Sequence, residues 1–151
     1  MNRAKVFQTL ADMSLSEGLD FLSRYLKESI HADRASIFIY CPKEERLWTL
    51  HADQSEKIEI PFDIGIVGQT LRTKNPVLEN DPYDNPNFLA DVDMQTGYYT
   101  QNVLTAPILN TKHDVLAIIQ LLNREGGFSK KDRELLVTFA RQIVPFIEKN
   151  L

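Results

Sequence analysis

Hydrophobic residues recur at intervals of three or four positions near the start of the chain, which is the spacing of one face of an α-helix. Ser14 and Glu17 have the spacing of a helix capping box, and an apolar stripe follows them. The stripe consists of Leu19, Leu22, Leu26 and Ile30. This pattern predicts a helix over about 15–31, preceded by a shorter amphipathic helix within residues 2–13.

The middle of the chain contains short β-branched and aromatic runs between turn residues, which are typical of strands. The predicted strands are 35–40, 47–52, 57–60, 76–78, 103–109 and 115–122. The last of them reads VLAIIQLL, and a run that is apolar almost throughout favours a central strand covered on both faces. Periodicity alone also allows a buried helix there, but the turn signals on both sides favour the strand.

A second long helix is predicted at the end of the chain. Ser129 offers a cap, and a wide apolar face continues to about residue 150. Pro145 lies inside this pattern, so we expect a bend where its ring removes a backbone hydrogen bond. A short helix is also expected over 65–73.

These elements predict an α+β fold organised as a single domain over 1–151, with a core from about 15 to 149. A central antiparallel sheet of five or six strands would carry the N- and C-terminal helices on one face. The insertion 61–100, made of loops and a short helix, would cover the other face as a ligand lid.

Composition and charge narrow the classes of function. The 151 residues carry a formal net charge of −4, which argues against a broad nucleic-acid surface. No apolar run has the length of a membrane span, and the N-terminus lacks the apolar core of a signal peptide, so we expect a cytoplasmic location without membrane binding. The chain contains no nucleophile elbow, P-loop or metal cluster, and His31, His51 and His113 lack the spacing of a metal site.

An acidic insertion is the segment that most resembles a functional site. From Asn75 to Thr111 the chain has five carboxylates and neither lysine nor arginine. The acids are Glu79, Asp81, Asp84, Asp91 and Asp93. They lack the order of a calcium-binding loop, so solvated loop acids are the better interpretation. Long irregular segments inside compact domains usually serve as binding loops or lids.

The absence of lysine and arginine from residues 75–111 predicts how this acidic segment would hold an anion. A phosphate would meet backbone N–H groups and the positive dipole end of the helix that opens at Ile66, Val67 and Gly68. The site would thus be an anion site without a cation. The alternative is that Gly65 and Gly68 only shape a turn from strand to helix.

Several stretches in series point to one family. They are Arg34–Phe38, Ile58–Gln69, NDPYDNPNF from Asn80, VDMQTGYYTQN from Val92 and QLLNR from Gln120. In order and spacing they resemble the GAF domains, and within them the cyclic-nucleotide-binding type of phosphodiesterases and some bacterial adenylate cyclases. The likeness covers about residues 34–141 and implies a GAF/PAS-like fold.

The five-residue signature of that family is matched in part. It corresponds here to Asn123, Arg124, Phe128, Asp132 and Arg133, of which two differ from the family pattern. Arg124 replaces lysine and keeps the charge, so we expect it to grip Asp132 bidentately. Arg133 replaces glutamate and reverses a charge. In the family this signature supports the pocket without touching ligand, so the departure bears on affinity.

The resemblance implies a regulatory, non-catalytic domain that binds cyclic AMP or cyclic GMP and needs no other cofactor. The implied ligand contacts are Ser36, Asp53, Ile66, Val67, Asp93, Thr96, Thr100 and Gln120. Each has a structural alternative, such as local capping for Asp93 or close packing for Ser36. Gln120 interrupts an apolar strand, and an unpaired buried amide costs about 1–3 kcal/mol, so ligand, backbone or water should bond it.

Other interpretations remain open. The chain could be a GAF module that senses another small metabolite, or one whose degenerate pocket leaves it to serve dimerisation within a signalling protein, and Arg133 is the best support for this. We expect a homodimer through the terminal helices and an effector domain that the sequence does not identify. GAF-fold methionine sulfoxide reductases are enzymes, but their chemistry requires two thiols, which Cys41 alone cannot supply.

Overall fold

The computed structural model describes residues 3–49, 58–90 and 98–151. The helices are α1 (Arg3–Leu10), α2 (Leu15–Ile30), α3 (Gly65–Thr73), α4 (Lys130–Gln142) and α5 (Val144–Lys149). The strands are β1 (Ala32–Cys41), β2 (Arg46–Thr49), β3 (Ile58–Ile60), β4 (Val77–Glu79), β5 (Val103–Leu109) and β6 (Val115–Arg124). A 3-10 turn follows β4 at Pro82–Asp84.

The strands form one antiparallel sheet in the order β3-β2-β1-β6-β5-β4. This confirms the α+β fold and gives a sheet of six strands within the described part of the chain. VLAIIQLL lies in β6, a central strand, as its apolar run predicts. Residues 50–52 of the predicted strand 47–52 and residue 57 of the predicted strand 57–60 lie outside the described residues.

Strand β1 begins earlier than predicted because α2 ends abruptly. His31 caps that helix in the left-handed conformation, with φ of 62°, and its N–H donates to the Lys27 carbonyl. The chain turns there and enters the sheet at once at Ala32, which pairs with Arg124 of β6. A left-handed residue at a helix end is a common stop signal, although glycine usually occupies it.

The terminal helices share one face of the sheet, as predicted. Their apolar residues join one buried core with the inward side chains of β1, β5 and β6. From the helices this core includes Val6, Leu19, Leu22, Leu26, Leu136, Phe139 and Ile147. The other face carries α3, whose Val67 packs with Phe38 and Ile118 in a second, smaller cluster.

The bend near Pro145 is confirmed and lies slightly upstream of the proline. Helices α4 and α5 are separated at Ile143, which has φ of −90° and ψ of −3°. The proline lacks an N–H and its ring crowds the carbonyl four residues earlier, at Arg141, so the regular ladder cannot pass this point.

Both predicted N-terminal caps are present. The Ser14 hydroxyl accepts from the Glu17 N–H, and the Glu17 carboxylate accepts from the Ser14 N–H. Ser129 and Asp132 make the same reciprocal pair at α4. Within the described ranges, no helix has both the length and the apolar character needed to span a membrane.

The contact between α2 and α5 leads to the first prediction. Gly18 is buried, and an added Cβ there would lie 2.0 Å from the ring carbon Cζ of Phe146. We expect Gly18→Ala to lower the free energy of unfolding by about 1–3 kcal/mol through overpacking. This is the expected net loss, after the roughly 1 kcal/mol that alanine gains over glycine in a helix has been subtracted from the cost of overpacking.

Urea unfolding followed by circular dichroism measures the change. Ser29→Ala, at an exposed position of the same helix, is the matched control. Adding Phe146→Leu to Gly18→Ala should restore part of the stability. A Gly18→Ala protein as stable as the parent would show that α2 and α5 do not pack as described.

Candidate functional site

A cavity of about 240 Å³ lies on the face of the sheet that carries α3. Its floor is formed by β1, β5 and β6 through residues such as Phe38, Val103 and Leu122. The start of α3 and the side chains of Phe88 and Leu89 enclose it from above. The cavity therefore lies where the predicted lid covers the sheet.

Half of the predicted ligand contacts lie in the wall of this cavity. They are Ile66, Val67, Thr100 and Gln120. Asp53, Asp93 and Thr96 lie outside the described residues, so their roles stay predictions. The structure thus brings together residues from α3, β6 and the segment before β5, which are far apart in sequence.

Gln120 and Ser36 are cross-strand neighbours on the cavity side of the sheet. Gln120 is half-buried and pairs in register with Ser36 of β1 and Thr105 of β5. The Thr105 hydroxyl is engaged by that of Thr70 on α3. Ser36 shares the face but is not among the described lining residues, so its role as a ligand contact remains a prediction.

The cavity wall contains a cation, Arg34, which the predicted cation-free anion site did not include. Arg34 of β1 lines the cavity, and its guanidinium carbon lies 3.6 Å from the ring centroid of Tyr98. A cation over an aromatic face is held by the ring quadrupole. Alternation along a strand places Arg34, Ser36 and Phe38 on one face, so the signal was present in β1 and absent from the acidic insertion.

The start of α3 faces the cavity, and its two glycines have structural reasons. Gly65 has φ of 79°, and an added Cβ at Gly68 would lie 2.8 Å from the carbonyl carbon of Asp63. The Gly68 N–H donates to the Ile64 carbonyl, so it is not available to an anion, contrary to our expectation. Ile66 and Val67 belong to the first turn, whose amides have no partner within a helix.

Tyr98 connects the cavity wall to the end of β6. Its hydroxyl donates to Asp33 Oδ2 at 2.7 Å and accepts from Asn123 Nδ2 at 3.0 Å. Asn123 also donates to the Tyr99 carbonyl and accepts from the N–H groups of Gln101 and Asn102. This signature asparagine therefore fixes the segment 98–102 beside the cavity.

The signature ion pair is present but is not bidentate. Arg124 Nε lies 3.5 Å from Asp132 Oδ2, while the same guanidinium donates to the carbonyls of Ile30 and Gly127. The guanidinium therefore contacts three elements: the end of α2, the loop before α4 and the N-terminal cap of α4. The expected fork-to-fork grip on Asp132 is therefore wrong, although the charge pair survives the replacement of lysine.

Two asparagines that the sequence analysis did not single out hold the signature segment in place. The Asn80 carboxamide accepts from the Phe128 N–H and donates to the Phe128 carbonyl. The Asn102 carboxamide pairs in the same way with the N–H and carbonyl of Arg124. An amide side chain can satisfy both backbone groups of one residue.

The acids of the insertion that the structure describes do not line the cavity. Glu79, Asp81 and Asp84 are the described ones, and none of the three lines it. Glu79 instead accepts from the Asp81 N–H and from Asn85 Nδ2. Across the described residues, no group of three or more His, Cys, Asp or Glu side chains is placed to hold a metal ion.

Cys41 lies apart from this site. It ends β1, opposite Arg46 of β2, and is not among the described lining residues of the cavity. The thiol therefore does not form part of the described cavity wall.

Comparisons with known proteins agree with this architecture. Residues 14–144 match the sequence model of the GAF domain family. The chain is 33% identical over 127 residues to the human rod cGMP-specific 3′,5′-cyclic phosphodiesterase subunit alpha, covering 73% of this chain and 15% of that protein. It is 30% identical over 129 residues to a cGMP-specific 3′,5′-cyclic phosphodiesterase of Drosophila ananassae, covering 75% and 11%. The chain thus spans a small part of these curated relatives.

Solved structures with the same fold come from proteins of different activity. The GAF domain of a phosphoenolpyruvate-protein phosphotransferase from Coxiella burnetii has a TM-score of 0.81 and 21% identity, covering 97% of this chain and 90% of that one. The free methionine-R-sulfoxide reductase of Neisseria meningitidis, solved with its substrate, has a TM-score of 0.78 and 16% identity, covering 97% and 86%. At these identities the likeness shows the fold alone.

The surroundings of Tyr98 lead to the second prediction. Burial, reinforced by the hydrogen bond to Asp33, raises the pKa of Tyr98 to about 12. We expect it to stay protonated at about pH 11, where a tyrosine with the ordinary pKa near 10 is mostly ionised. Because the folded-state pKa is raised, the stabilisation is complete below about pH 10 and is lost as the pH rises towards 12.

NMR titration of the tyrosine ring carbons measures this pKa directly. Tyr98→Phe assigns the resonance, and Asp33→Asn, which removes the charged acceptor, should lower the pKa of Tyr98. Ionisation of Tyr98 at its ordinary value would contradict the described contacts.

Proposed function

Because the chain belongs to the GAF domain family, we propose that it is a regulatory domain whose cavity binds a cyclic purine nucleotide, cyclic AMP or cyclic GMP. GAF relatives within phosphodiesterases support a small-molecule-sensing role. The observation that carries the finer proposal is the juxtaposition of Arg34, the first turn of α3 and Gln120 around one cavity. These groups match the phosphate, which carries one negative charge, and the polar edge of a purine.

The phosphate would lie between Arg34 and the start of α3. An arginine offers a planar set of donors that suits phosphate oxygens, and it remains charged at every relevant pH. The amides of Ile66 and Val67 add donors at the positive end of the helix dipole. This arrangement replaces the purely backbone anion site expected from the insertion.

The purine would lie on the sheet side of the cavity. Phe38 and Phe88 supply flat apolar surface, while Gln120 can donate to or accept from a base edge by rotating its amide. Thr100, which is 3% exposed, offers a hydroxyl in the same wall. Ser36, Asp53, Asp93 and Thr96 are further contacts proposed from the family resemblance.

The domain is proposed to be non-catalytic. The chain has a single cysteine, and Cys41 is not among the described lining residues of the cavity. Reduction of a sulfoxide by thiols needs a nucleophilic and a resolving sulfur. We further propose that 1–151 forms one GAF domain that signals to an effector, with dimerisation through the terminal helices.

A second candidate is a smaller metabolite in the same cavity. The observation that favours it is the cavity volume of about 240 Å³, which is below the roughly 300–1,000 Å³ of typical ligand pockets. A cyclic nucleotide would require the lid to adjust on binding.

Isothermal titration with cyclic AMP and with cyclic GMP tests the proposal. Arg34→Ala should weaken the binding of either nucleotide by about 10- to 100-fold, the range expected for a lost charge-assisted contact. Arg141→Ala makes the same change at an exposed site of α4 and should leave affinity unaltered.

The outcomes separate the two candidates. No heat with either nucleotide at high micromolar concentration would reject the cyclic nucleotide as ligand. Binding that is equally strong in the Arg34→Ala and Arg141→Ala proteins would keep the nucleotide but reject the phosphate site at Arg34.

A further inference from the structure

One guanidinium joins the two rims of the cavity mouth. The first rim is the segment 60–64, which leads into α3, and the second is the lid segment, residues 80–89, which follows β4. Arg72 Nη1 donates to the Asp63 carbonyl at 2.8 Å, and Arg72 Nη2 donates to Asn87 Oδ1 at 3.1 Å. Both rims contribute to the cavity wall, the first through Ile60, Pro61 and Ile64 and the second through Phe88 and Leu89.

The geometry of α3 explains how Arg72 reaches both rims without entering the cavity. Ile66 and Val67 face inwards, whereas Gln69 and Arg72 lie three positions apart on another side of the helix. An added Cβ at Gly68 would lie 2.8 Å from the Asp63 carbonyl carbon and 3.4 Å from Arg72 Nη1. Gly68 therefore lets the first rim pass close enough for Arg72 to bond it.

Gln69 completes the contact on the lid side only. Its Oε1 accepts from Asn87 Nδ2 at 3.2 Å and from Asn85 Nδ2 at 3.4 Å. Asn85 in turn accepts from the Asn87 N–H at 2.8 Å, which orders the residue immediately before Phe88. Phe88 and Leu89 reach the cavity from this ordered turn.

We infer that Arg72 is a positioning residue that acts as a latch at the cavity mouth, holding its two rims together by tying Asn87 of the lid segment to Asp63 of the opposite rim. Its two donors act on two different segments, so its loss releases both at once. Arg72 is exposed and is not among the described lining residues, so the proposed role is to position the rims and not to contact ligand.

Hydrogen exchange of the ligand-free domain tests the latch without any assumption about ligand. Arg72→Ala should raise the exchange rate of the Asn87 and Phe88 amides about tenfold, as expected for a lost hydrogen bond to a charged group. Lys74→Ala removes a cation at the C-cap of the same helix, one that bonds the His113 carbonyl instead, and should leave those rates unchanged.

A double-mutant cycle separates a latch from general loosening of the fold. If Arg72 acts through Asn87, Arg72→Ala combined with Asn87→Ala should exchange no faster at Phe88 than the faster single variant. Arg72→Lys keeps the charge but loses the fork that spans both rims, so it should resemble Arg72→Ala. Lid exchange equal to that of the parent in both Arg72 variants would overturn the inference.

A third experiment measures the rate of ligand dissociation and rests on the proposed function. In stopped-flow displacement of cyclic nucleotide, Arg72→Ala should raise the dissociation rate about tenfold with unchanged urea stability. An unchanged dissociation rate in a variant that binds nucleotide would also overturn the latch. If the parent domain bound neither nucleotide, the proposed function would fall, and the exchange data would still decide whether Arg72 holds the rims.

Discussion

The antiparallel pairing of β1 with β6 is the constraint on which the other features depend. Its register runs from Ala32 opposite Arg124 to Ile39 opposite Ala117. Because side chains alternate between faces, Ile37 and Ile39 enter the helical core while Arg34 and Phe38 enter the cavity wall. A slip of one residue would exchange the two sets, placing a guanidinium in the core. The core and the cavity are therefore specified together by one strand ladder.

The end of β6 contacts elements on both faces of the sheet. Asn123 binds Tyr98 in the cavity wall, while the next residue, Arg124, binds the Ile30 carbonyl at the end of α2 and pairs with Asp132 of α4. Asn123 has φ of 61°, a left-handed conformation that interrupts the alternation of β6, and the dipeptide thereby contacts both the cavity layer and the helical layer. That connection supplies a physical contact between cavity and helices, and a signalling role for it would require ligand to favour one arrangement.

The sequence was most informative where the physics is local. Capping boxes, helical stripes and the apolar run of β6 depend on residues a few positions apart, and the structure contains them. The cavity depends on contacts between distant residues, such as Asn80 with Phe128, which are 48 positions apart. The position of Arg34 in the cavity wall is also non-local, because strand alternation brings it from β1 and not from the acidic insertion. Contacts of this kind, made by amide and guanidinium side chains, leave no periodic pattern in the sequence from which they could be predicted.

The way the lid segment is held decides how easily the cavity can exchange its contents. Its polar contacts with α3 run through Gln69, Arg72, Asn85 and Asn87, which are exposed or half-buried, and Leu89 lies beside Gly65 at the start of the same helix. Each such bond contributes about 0.5–1.5 kcal/mol at most, since water competes for the same groups. Bonds of this strength are within reach of local opening by thermal fluctuation. A lid closed by a large apolar contact would remain shut whether or not ligand were present. Polar bonds of this kind instead let a ligand that contacts Phe88 and Leu89 shift the balance, to the extent that it binds the closed form more tightly than the open one.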